Sequence, residues 1–446
     1  MKNAKKQPLI LKSGRCGALR GEVSVSGDKS ISHRAVMLGS IAHGETLISG
    51  LLEGEDVLST MAALRALGVE IAKEEGVWKV QGVGLDGLKE SRAVLDMGNS
   101  GTSARLLMGL LGARPFTSHF TGDASLCRRP MGRVITPLMQ MGVEFSSTEG
   151  NRLPLEVKGP AQAKAIDYAL PVASAQVKSA VLFGGLSAQG TTRVIERIPT
   201  RDHSERMLCH FGADLHIQQE DGAEIISIRG GTALTGQKID VPADISSAAF
   251  PMVAACLHEG SEVRLNHVGM NERRVGIVQS LIDMGASIEI INPRDVCGEP
   301  VADLVVRGGK LKGVTIPASR APSMIDEYPV LAVAAACGEG TSRFLGLSEL
   351  RVKESDRLTL MAQGLRAVGA SVEVRGDDLI IHGTGMPPRG GALIKTALDH
   401  RIAMSFLVLG SVTSEPISID DGSVIATSFP DFVTMMNALG AKMEGI

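Results

Sequence analysis

The amino-acid sequence predicts an α/β (α+β) protein made of six copies of one supersecondary unit. Two observations carry this prediction: helix-like runs that end in Gly followed by Val or Ala recur six times, and stretches of strand composition lie between the helix-like runs. The recurring glycines are 70 to 84 residues apart and are Gly68, Gly142, Gly212, Gly285, Gly369 and Gly440. Because Gly directly after a helix supports a left-handed C-terminal cap, six such stops at nearly equal spacing indicate an internal repeat.

Each copy has a second helix-like run upstream of the glycine-terminated one. These upstream runs begin near Lys29, Asn99, Ser174, Asp244, Asp326 and Asp399. Past their first turn they are nearly apolar all round, which predicts buried helices. Short strand-like stretches such as 191–196 and 341–345 separate the helices. Each unit is therefore predicted to have the order βαβαββ, with one buried and one half-exposed helix.

The length of the chain indicates two domains. A chain of 446 residues is longer than one hydrophobic core usually holds. A single repeat is too small to be stable alone, so we expect three repeats to share each core. Only 3% of the residues are aromatic while 44% are hydrophobic. The core must therefore consist mainly of Ala, Val, Leu, Ile and Met, which suits closely packed helices and sheets.

Composition argues against several classes of protein. A net charge of −3 does not favour a broad surface for polyanions. The six cysteines lack CxxC spacing, so neither a disulfide framework nor a zinc site is indicated. The basic first eight residues are not followed by an apolar signal segment, and no apolar run reaches membrane-spanning length. We therefore expect a cytoplasmic protein with reduced thiols, no membrane association and no metal.

The starts of the predicted buried helices carry polar and charged residues. They read Lys29-Ser30 with Arg34, Asn99-Ser100-Gly101-Thr102, Ser174 with Gln176 and Lys178, Asp244 with Ser246-Ser247, Asp326-Glu327 and Asp399-His400-Arg401. Taken singly, these residues fit ordinary N-caps, exposed faces or surface ion pairs. Their recurrence at equivalent points of a repeat favours anion sites, because helix N-termini with added Lys and Arg attract phosphate and carboxylate.

The starts of the second helices add clusters of opposite charge. These clusters are Arg128-Arg129-Pro130, Arg201 to Arg206, Asn271 to Arg274 and Arg351 to Arg357. The last of them could also be a solvated charged loop. Dense Arg and Glu together are what a small, multiply charged substrate and acid–base chemistry would require.

These residues closely resemble the family of bacterial 5-enolpyruvylshikimate-3-phosphate synthases, which are enolpyruvyl transferases. The resemblance covers essentially the whole chain. The stretches that carry it are Gly27 to Arg34, Asn99 to Thr102, Arg128 to Pro130, Ser174 to Gln176, Arg201 to His203, Asp326 to Pro329, Lys353 to Arg357 and Asp399 to Arg401. Taken in this order they are highly specific.

The resemblance implies a fold of two similar domains, each an inside-out α/β barrel of three βαβαββ units. Residues 28–241 would form one domain, and residues 1–27 together with 242–446 would form the other. The active site would lie in the cleft between them.

The implied reaction transfers the enolpyruvyl group of phosphoenolpyruvate to the 5-hydroxyl of shikimate 3-phosphate. Phosphate leaves through a tetrahedral intermediate, in the shikimate pathway of chorismate and aromatic amino-acid biosynthesis. The resemblance implies no cofactor. Asp326 would be the base near the attacking hydroxyl, Glu354 the acid that protonates the methylene carbon, and Lys29 a further group in proton transfer.

The resemblance also implies two sets of binding residues. Shikimate 3-phosphate would be bound by Lys29, Ser30, Arg34, Ser174, Gln176, Arg201, Asp326 and Lys353. Phosphoenolpyruvate would be bound by Lys29, Asn99, Gly101, Arg129, Gln176, Arg357 and Arg401. Glyphosate, an inhibitor of the family, would compete with phosphoenolpyruvate. The protein is expected to be a monomer without a nucleic-acid partner.

The sequence departs from the family pattern at three positions. Many relatives have a lysine where Thr427 stands, which removes one cation from the expected phosphate site. Leu106 stands where many relatives have Pro, and Ala175 replaces a second serine, so Ser174 would serve alone.

Three other classes remain open on the sequence. UDP-N-acetylglucosamine enolpyruvyl transferases share the fold and the donor, but their reactive Cys would fall at Ala124, and Cys127 is out of register. RNA 3′-phosphate cyclases share related units but use a nucleophilic His and a nucleotide. Sliding clamps also assemble six similar units, but they need a basic face toward DNA.

Overall fold

The computed structural model describes residues 8–147 and 150–446, and these divide into two compact units. The central unit comprises Gly27–Pro242 with the short segment Asp295–Glu299. The terminal unit comprises the described residues up to Ser26, Ala243–Arg294 and Pro300–Ile446. The chain thus begins in one unit, builds the other, and returns.

Helices form where the sequence is apolar between polar starts and glycine stops. The α-helices of the described chain are α1 Lys29–Ile41, α2 Glu55–Ala66, α3 Gly101–Gly112, α4 Ala124–Arg128, α5 Gly132–Gln140, α6 Ala175–Gly185, α7 His203–His210, α8 Ile245–Leu257, α9 Gly276–Asp283, α10 Tyr328–Cys337, α11 Arg357–Ala367, α12 His400–Gly410 and α13 Phe432–Ala438. Short 3-10 helices span Ala318–Ser323, Ser348–Val352 and Ser423–Thr427.

The strands are short and fall between the helices. The first half of the chain contains β1 Leu11–Gly14, β2 Arg20–Val23, β3 His43–Ser49, β4 Glu70–Glu74, β5 Val77–Val83, β6 Leu95–Asp96, β7 Thr117–Thr121, β8 Glu144–Ser147, β9 Leu155–Lys158, β10 Ala163–Lys164, β11 Asp167–Ala169, β12 Ala188–Gln189, β13 Thr191–Glu196, β14 Leu215–Glu220 and β15 Ala223–Arg229. The second half contains β16 Lys238–Asp240, β17 Glu262–Gly269, β18 Ser287–Val296, β19 Glu299–Arg307, β20 Thr315–Ile316, β21 Glu339–Phe344, β22 Ser371–Arg375, β23 Asp378–Thr384, β24 Leu393–Ile394, β25 Ile417–Ile419 and β26 Lys442–Gly445.

Six four-stranded sheets repeat one topology, three in each unit. The central unit has the orders β16-β3-β5-β4, β6-β7-β9-β8 and β11-β13-β15-β14. The terminal unit has β2-β17-β19-β18, β20-β21-β23-β22 and β24-β25-β1-β26. Each sheet has one parallel pair at one edge, such as β11 with β13, followed by antiparallel pairing. The predicted α/β class and the βαβαββ unit are confirmed.

Three of the six units are completed by strands that are distant in sequence, and the sequence analysis did not anticipate these strand pairings. Strand β16 pairs in parallel with β3 and completes the first sheet from nearly 200 residues away. The N-terminal segment provides β2, which pairs with β17, and β1, which lies between β25 and β26. Such strands of three or four residues carry too little periodicity to reveal a distant partner.

Glycine shapes both the helix ends and the helix contacts. The six repeat glycines, from Gly68 to Gly440, all have φ between 90° and 108°, which confirms the predicted left-handed stops. Gly109 has a different role, because α3 and α6 pack closely there. A Cβ at Gly109 would lie 2.2 Å from the carbonyl oxygen of Ala180, so only glycine allows this approach.

Each unit has its own apolar core, formed mainly by Ala, Val, Leu, Ile and Met. Helices α1, α3 and α6 are buried over most of their length in the central unit, and α8, α10 and α12 are buried in the terminal unit. The prediction of buried first helices is therefore confirmed. Within the described ranges, none of the helices combines the length and the apolar content needed to cross a membrane.

A β-bulge in the terminal unit is stabilised by a buried carboxylate. The register between β17 and β19 shifts between Leu265 and Val268, and His267 has φ of 57°. Asp303 Oδ1 accepts the His267 backbone N–H at 2.9 Å, and its carboxylate also pairs with Arg264 and Arg294. Burial works against ionisation, but hydrogen bonds from its neighbours hold the pKa of Asp303 well below its usual range.

Candidate active site

The polar residues at the starts of the buried helices serve first as caps. Ser174 accepts the Val177 N–H at the start of α6, and Asp244 accepts the Ser246 N–H at the start of α8. These contacts satisfy backbone donors that have no partner inside a helix. The capping interpretation is thus correct for these residues.

In the central unit, Lys29 begins α1 and pairs with Asp56 in the first turn of α2. The Lys29 side chain is 18% exposed. Asp56 was missed by the sequence analysis, because nothing in the sequence connects the start of α2 with the start of α1.

Arg34 is buried one turn further along α1, which contradicts the alternative of an exposed face. Its Nε donates to Ser204 Oγ at 2.7 Å, its Nη2 donates to Ser179 Oγ at 2.8 Å, and its Nη1 donates to the Ser30 carbonyl at 2.9 Å. Burial lowers the pKa of Arg34 to about 10, while the nearby carboxylate of Glu205 opposes this change. The guanidinium is therefore still charged at neutral pH.

Arg129 and Asn99 form a second group of contacts in the central unit. Arg129 is buried just after α4, and its guanidinium donates to the Asn99 side-chain oxygen and, at 3.2 Å, to the Asn99 carbonyl. The Asn99 amide group in turn donates to Asp123 Oδ2 at 2.6 Å. The structure thus brings two of the predicted phosphoenolpyruvate residues together.

Arg105 adds a cation that was absent from the predicted site residues. It lies one turn after Gly101 on α3, and its Nη1 donates to Gln176 Oε1 at 2.9 Å. The Gln176 amide donates to Thr102 Oγ1 at 3.1 Å. The spacing of four residues between Gly101 and Arg105, which places both on one helix face, was the available signal.

An ion cluster surrounds Lys178 on α6. Its buried ammonium pairs with Glu196 at 2.7 Å and with Glu205 at 2.6 Å. Burial raises the pKa of Glu205, although Lys178 opposes the change. Glu224 completes a group of carboxylates close enough to share a metal ion, but the Lys178 ammonium already pairs with two of them. Arg201 lies just before α7 and is half-buried, and it follows Thr200, whose carbonyl accepts from the Lys178 ammonium at 3.4 Å.

In the terminal unit, Arg357 is fully buried at the start of α11 and contacts three carboxylates. Its Nε pairs with Asp399 Oδ2 at 2.8 Å, its Nη1 pairs with Asp326 Oδ1 at 3.0 Å, and its Nη2 pairs with Glu354. Burial alone would lower the pKa of Arg357, but Asp399, Glu354 and Asp326 together raise it above its usual value. The alternative of a solvated charged loop is therefore wrong for this residue.

Two further cations lie beside this group. Lys353 Nζ is 3.4 Å from Asp326 Oδ1, and the Lys353 side chain is 27% exposed. Arg401 Nη1 donates to the Asp326 carbonyl at 3.1 Å and is 3.6 Å from Glu327 Oε1. Arg401 and the capping residue Asp399 are buried, so the alternative of a surface ion pair is wrong.

The three positions that depart from the family pattern lie in defined local structure. The Thr427 hydroxyl donates to the Val424 carbonyl at 2.7 Å within a 3-10 turn, so it is used locally. Leu106 is buried in α3, where Pro would remove a helix hydrogen bond. Ala175 is the first residue of α6, next to the cap Ser174.

Comparison with known proteins gives the family. The sequence model of the family EPSP synthase (3-phosphoshikimate 1-carboxyvinyltransferase) matches residues 15–436. The chain belongs to the EPSP synthase family. It is 59% identical over 437 residues to the 3-phosphoshikimate 1-carboxyvinyltransferase of Paramagnetospirillum magneticum, and 56% identical over 443 residues to that of Rhodospirillum rubrum. Each match covers 98% of both chains.

Solved structures agree with this membership. EPSP synthase from Acinetobacter baumannii superposes with a TM-score of 0.87 at 46% identity, over 98% of this chain and 100% of that chain. The enolpyruvyl transferase NikO from Streptomyces tendae superposes with a TM-score of 0.78 at 18% identity, over 99% of each chain, and supports the fold alone. The predicted enolpyruvyl transferase fold is confirmed.

Family membership settles the reaction class. The chain is an enzyme that transfers the enolpyruvyl group of phosphoenolpyruvate to shikimate 3-phosphate, a step of aromatic biosynthesis. The match favours this activity over the UDP-N-acetylglucosamine transferases, RNA cyclases and sliding clamps that the sequence left open. Cys127 was compared above with the reactive Cys of the UDP-N-acetylglucosamine enolpyruvyl transferases and is out of register with it. Its thiol donates to the Gly122 carbonyl.

The Arg357 contacts generate a prediction. Lys in place of Arg357 has one nitrogen and cannot contact three separate carboxylates. Arg357→Lys should lower the free energy of unfolding by about 3 kcal/mol, because buried carboxylates lose their partner. It should also lower kcat/KM by about 100-fold or more. Denaturant unfolding and steady-state kinetics measure the two effects.

The matched control is Arg351→Lys, since Arg351 lies nearby, is one-third exposed and pairs with Asp377 and Asp356. Its free energy of unfolding should change by no more than about 1 kcal/mol, as for other exposed pairs. Equal losses in both variants would contradict a special role for the buried guanidinium.

Proposed function

We propose that the charged residues of the two units have different roles in the reaction. The cations of the central unit, together with Ser30, Ser174, Gln176 and Arg201, would bind the anionic groups of the substrates. Asp326, Lys353, Glu354, Arg357 and Arg401 of the terminal unit would complete substrate binding and transfer the protons. The observation that carries this proposal is the buried Arg357 guanidinium, which holds both Asp326 and Glu354.

The proposed binding roles follow the charges. Lys29, Ser30, Arg34, Ser174, Gln176, Arg201, Asp326 and Lys353 are assigned to shikimate 3-phosphate. Lys29, Asn99, Gly101, Arg129, Gln176, Arg357 and Arg401 are assigned to phosphoenolpyruvate. Each substrate is a multiply charged anion, so fixed cations favour its binding. We add Arg105 to this set, because its Nη1 contacts Gln176 and the Gly101 carbonyl.

Addition comes first in the proposed chemistry. Asp326 takes the proton of the 5-hydroxyl while that oxygen forms a bond to C2 of phosphoenolpyruvate. Glu354, which must enter the cycle protonated, gives its proton to C3, which becomes a methyl group. The result is a tetrahedral intermediate that still carries the phosphate. A base and an acid held on one guanidinium have fixed positions for these transfers.

Elimination reverses the second transfer. Glu354 takes a proton back from the methyl group, the C2–C3 double bond forms again, and the C2–O bond to phosphate breaks. The leaving phosphate takes up the proton that Asp326 accepted from the 5-hydroxyl, so both carboxyl groups return to their starting states. Lys29 is proposed to assist proton transfer at this stage, in addition to binding. Its ion pair with Asp56 would hold its ammonium group in place.

We also propose a cytoplasmic monomer. In support, the six cysteines are free thiols in the described chain, which fits a reducing compartment.

Release of phosphate tests the proposed function directly. Phosphate should appear only when phosphoenolpyruvate and shikimate 3-phosphate are both present, and a chelator should leave the rate unchanged. UDP-N-acetylglucosamine in place of shikimate 3-phosphate should give no release above background. Turnover with that acceptor instead would overturn the proposal.

The two carboxylates give a sharper test. Asp326→Asn and Glu354→Gln keep the shape of the side chains but remove the base and the acid. Each should lower kcat by about 100-fold or more, the usual scale of general acid–base catalysis. The control is Asp377→Asn, which removes a partly exposed carboxylate paired with Arg351 outside the proposed site. Near-normal kcat in either site variant would show that its assigned role is wrong.

Glyphosate is proposed to inhibit this enzyme in competition with phosphoenolpyruvate, because Gly101 leaves room for its longer frame. A Cβ at Gly101 would lie 2.7 Å from Arg105 Nη1 and 3.3 Å from Arg129 Nη1. Gly101→Ala should therefore raise the inhibition constant of glyphosate about tenfold or more beyond any rise in KM for phosphoenolpyruvate.

The matched control for this substitution is Gly132→Ala, where the nearest atom to a new Cβ is 3.8 Å away. It should leave both constants unchanged. If Gly101→Ala altered both constants equally, position 101 would not discriminate between the two ligands.

A further inference from the structure

A buried carboxylate lies directly beside the proposed base. Glu327 precedes α10, is 1% exposed, and its Oε1 accepts the hydroxyl of Ser246. The other oxygen, Oε2, has no hydrogen-bond partner within residues 8–147 and 150–446. A buried carboxylate oxygen without a partner costs stability, so this residue calls for an explanation.

The carboxylate is close to one end of the Arg401 guanidinium. Arg401 Nη1 is 3.6 Å from Glu327 Oε1 and donates to the Asp326 carbonyl at 3.1 Å. Both contacts that the Arg401 guanidinium makes within the described residues use Nη1. The guanidinium is thus anchored at Nη1, while Nε and Nη2 are available to an anion.

The Glu327 carboxylate is in turn connected to residues at the start of α8. Ser246 donates its hydroxyl to Glu327 and accepts from Arg274 Nη2 at 2.8 Å. The same Arg274 nitrogen is 3.2 Å from Asp244 Oδ1, the cap of α8. A chain of contacts therefore runs from the start of α8 through Glu327 to Arg401 at the start of α12.

We propose that Glu327 is a positioning residue for phosphoenolpyruvate, and that it acts by holding the Arg401 guanidinium in its binding orientation. The inference rests on the proposed assignment of Arg401 to phosphoenolpyruvate. A free arginine side chain loses rotamer freedom when it binds an anion, whereas an anchored one has already lost it. Glu327 contacts neither substrate in this proposal and takes no part in proton transfer.

The test uses the whole enzyme and four variants: Glu327→Gln, Arg401→Lys, the double variant and Asp303→Asn. Glu327→Gln keeps the side-chain size and removes the charge. KM for phosphoenolpyruvate should rise about three- to tenfold, the scale of fixing one flexible side chain. KM for shikimate 3-phosphate should stay within about twofold of the parent value, because Arg401 is not assigned to that substrate.

Arg401→Lys should raise KM for phosphoenolpyruvate further, since Lys lacks the planar fork of donors. Adding Glu327→Gln to Arg401→Lys should then have little extra effect, because the guanidinium that Glu327 holds is gone. Asp303→Asn is the matched control: it removes another buried, arginine-paired carboxylate of the same unit, outside the site. It should lower the melting temperature without changing either KM.

Three results would overturn the inference, and one of them separates it from the proposed function. An unchanged or lower KM for phosphoenolpyruvate in Glu327→Gln, with a raised KM in Arg401→Lys, refutes the positioning role alone. An equal rise of both KM values in Glu327→Gln shows a purely structural role. An unchanged KM in Arg401→Lys refutes the binding role of Arg401 and the inference with it.

If Glu327→Gln does not fold, Ser246→Ala takes its place. That variant removes the hydroxyl that donates to Glu327 and should raise KM for phosphoenolpyruvate alone, by a smaller factor. No selective rise there would also refute the inference.

Discussion

The buried guanidinium of Arg357 is the interaction on which the site of the terminal unit depends. It joins Asp326 before α10, Glu354 before α11 and Asp399 at the start of α12. Three carboxylates so close together would repel one another strongly without it. Because the neighbouring acids raise the pKa of Arg357, its charge is permanent. One side chain thus fixes the starts of three helices and the spacing of the proposed base and acid.

Arginine joins neighbouring repeats in the central unit as well. Arg34 of the first repeat donates to Ser179 on α6 and Ser204 on α7, both in the third repeat. Arg105 on α3 contacts Gln176 on α6, which joins the second repeat to the third. The polar starts of the apolar helices are therefore also contacts between repeats, so disturbing one of them should affect its neighbours.

The sequence predicted the parts of the fold that depend on local rules. Glycine stops and apolar helices follow from backbone conformation and helix periodicity, and both recur at every repeat. The sequence did not reveal that β1, β2 and β16 complete sheets elsewhere in the chain, because distant strand pairing leaves no local pattern. The Lys29–Asp56 pair was missed for the same reason, whereas Arg105 could have been found from its helix spacing to Gly101.

The two clusters differ in how their cations are held, and this difference fits their proposed tasks. Arg34 is bonded to two serine hydroxyls and a carbonyl, and Arg129 is bonded to the amide and carbonyl oxygens of Asn99. Neutral acceptors orient a guanidinium without cancelling its charge, so the charge remains for an anionic substrate. Arg357, in contrast, is bonded to carboxylates that largely neutralise it. A group held in that way keeps a base and an acid at fixed positions, which is what stepwise proton transfer to and from carbon requires.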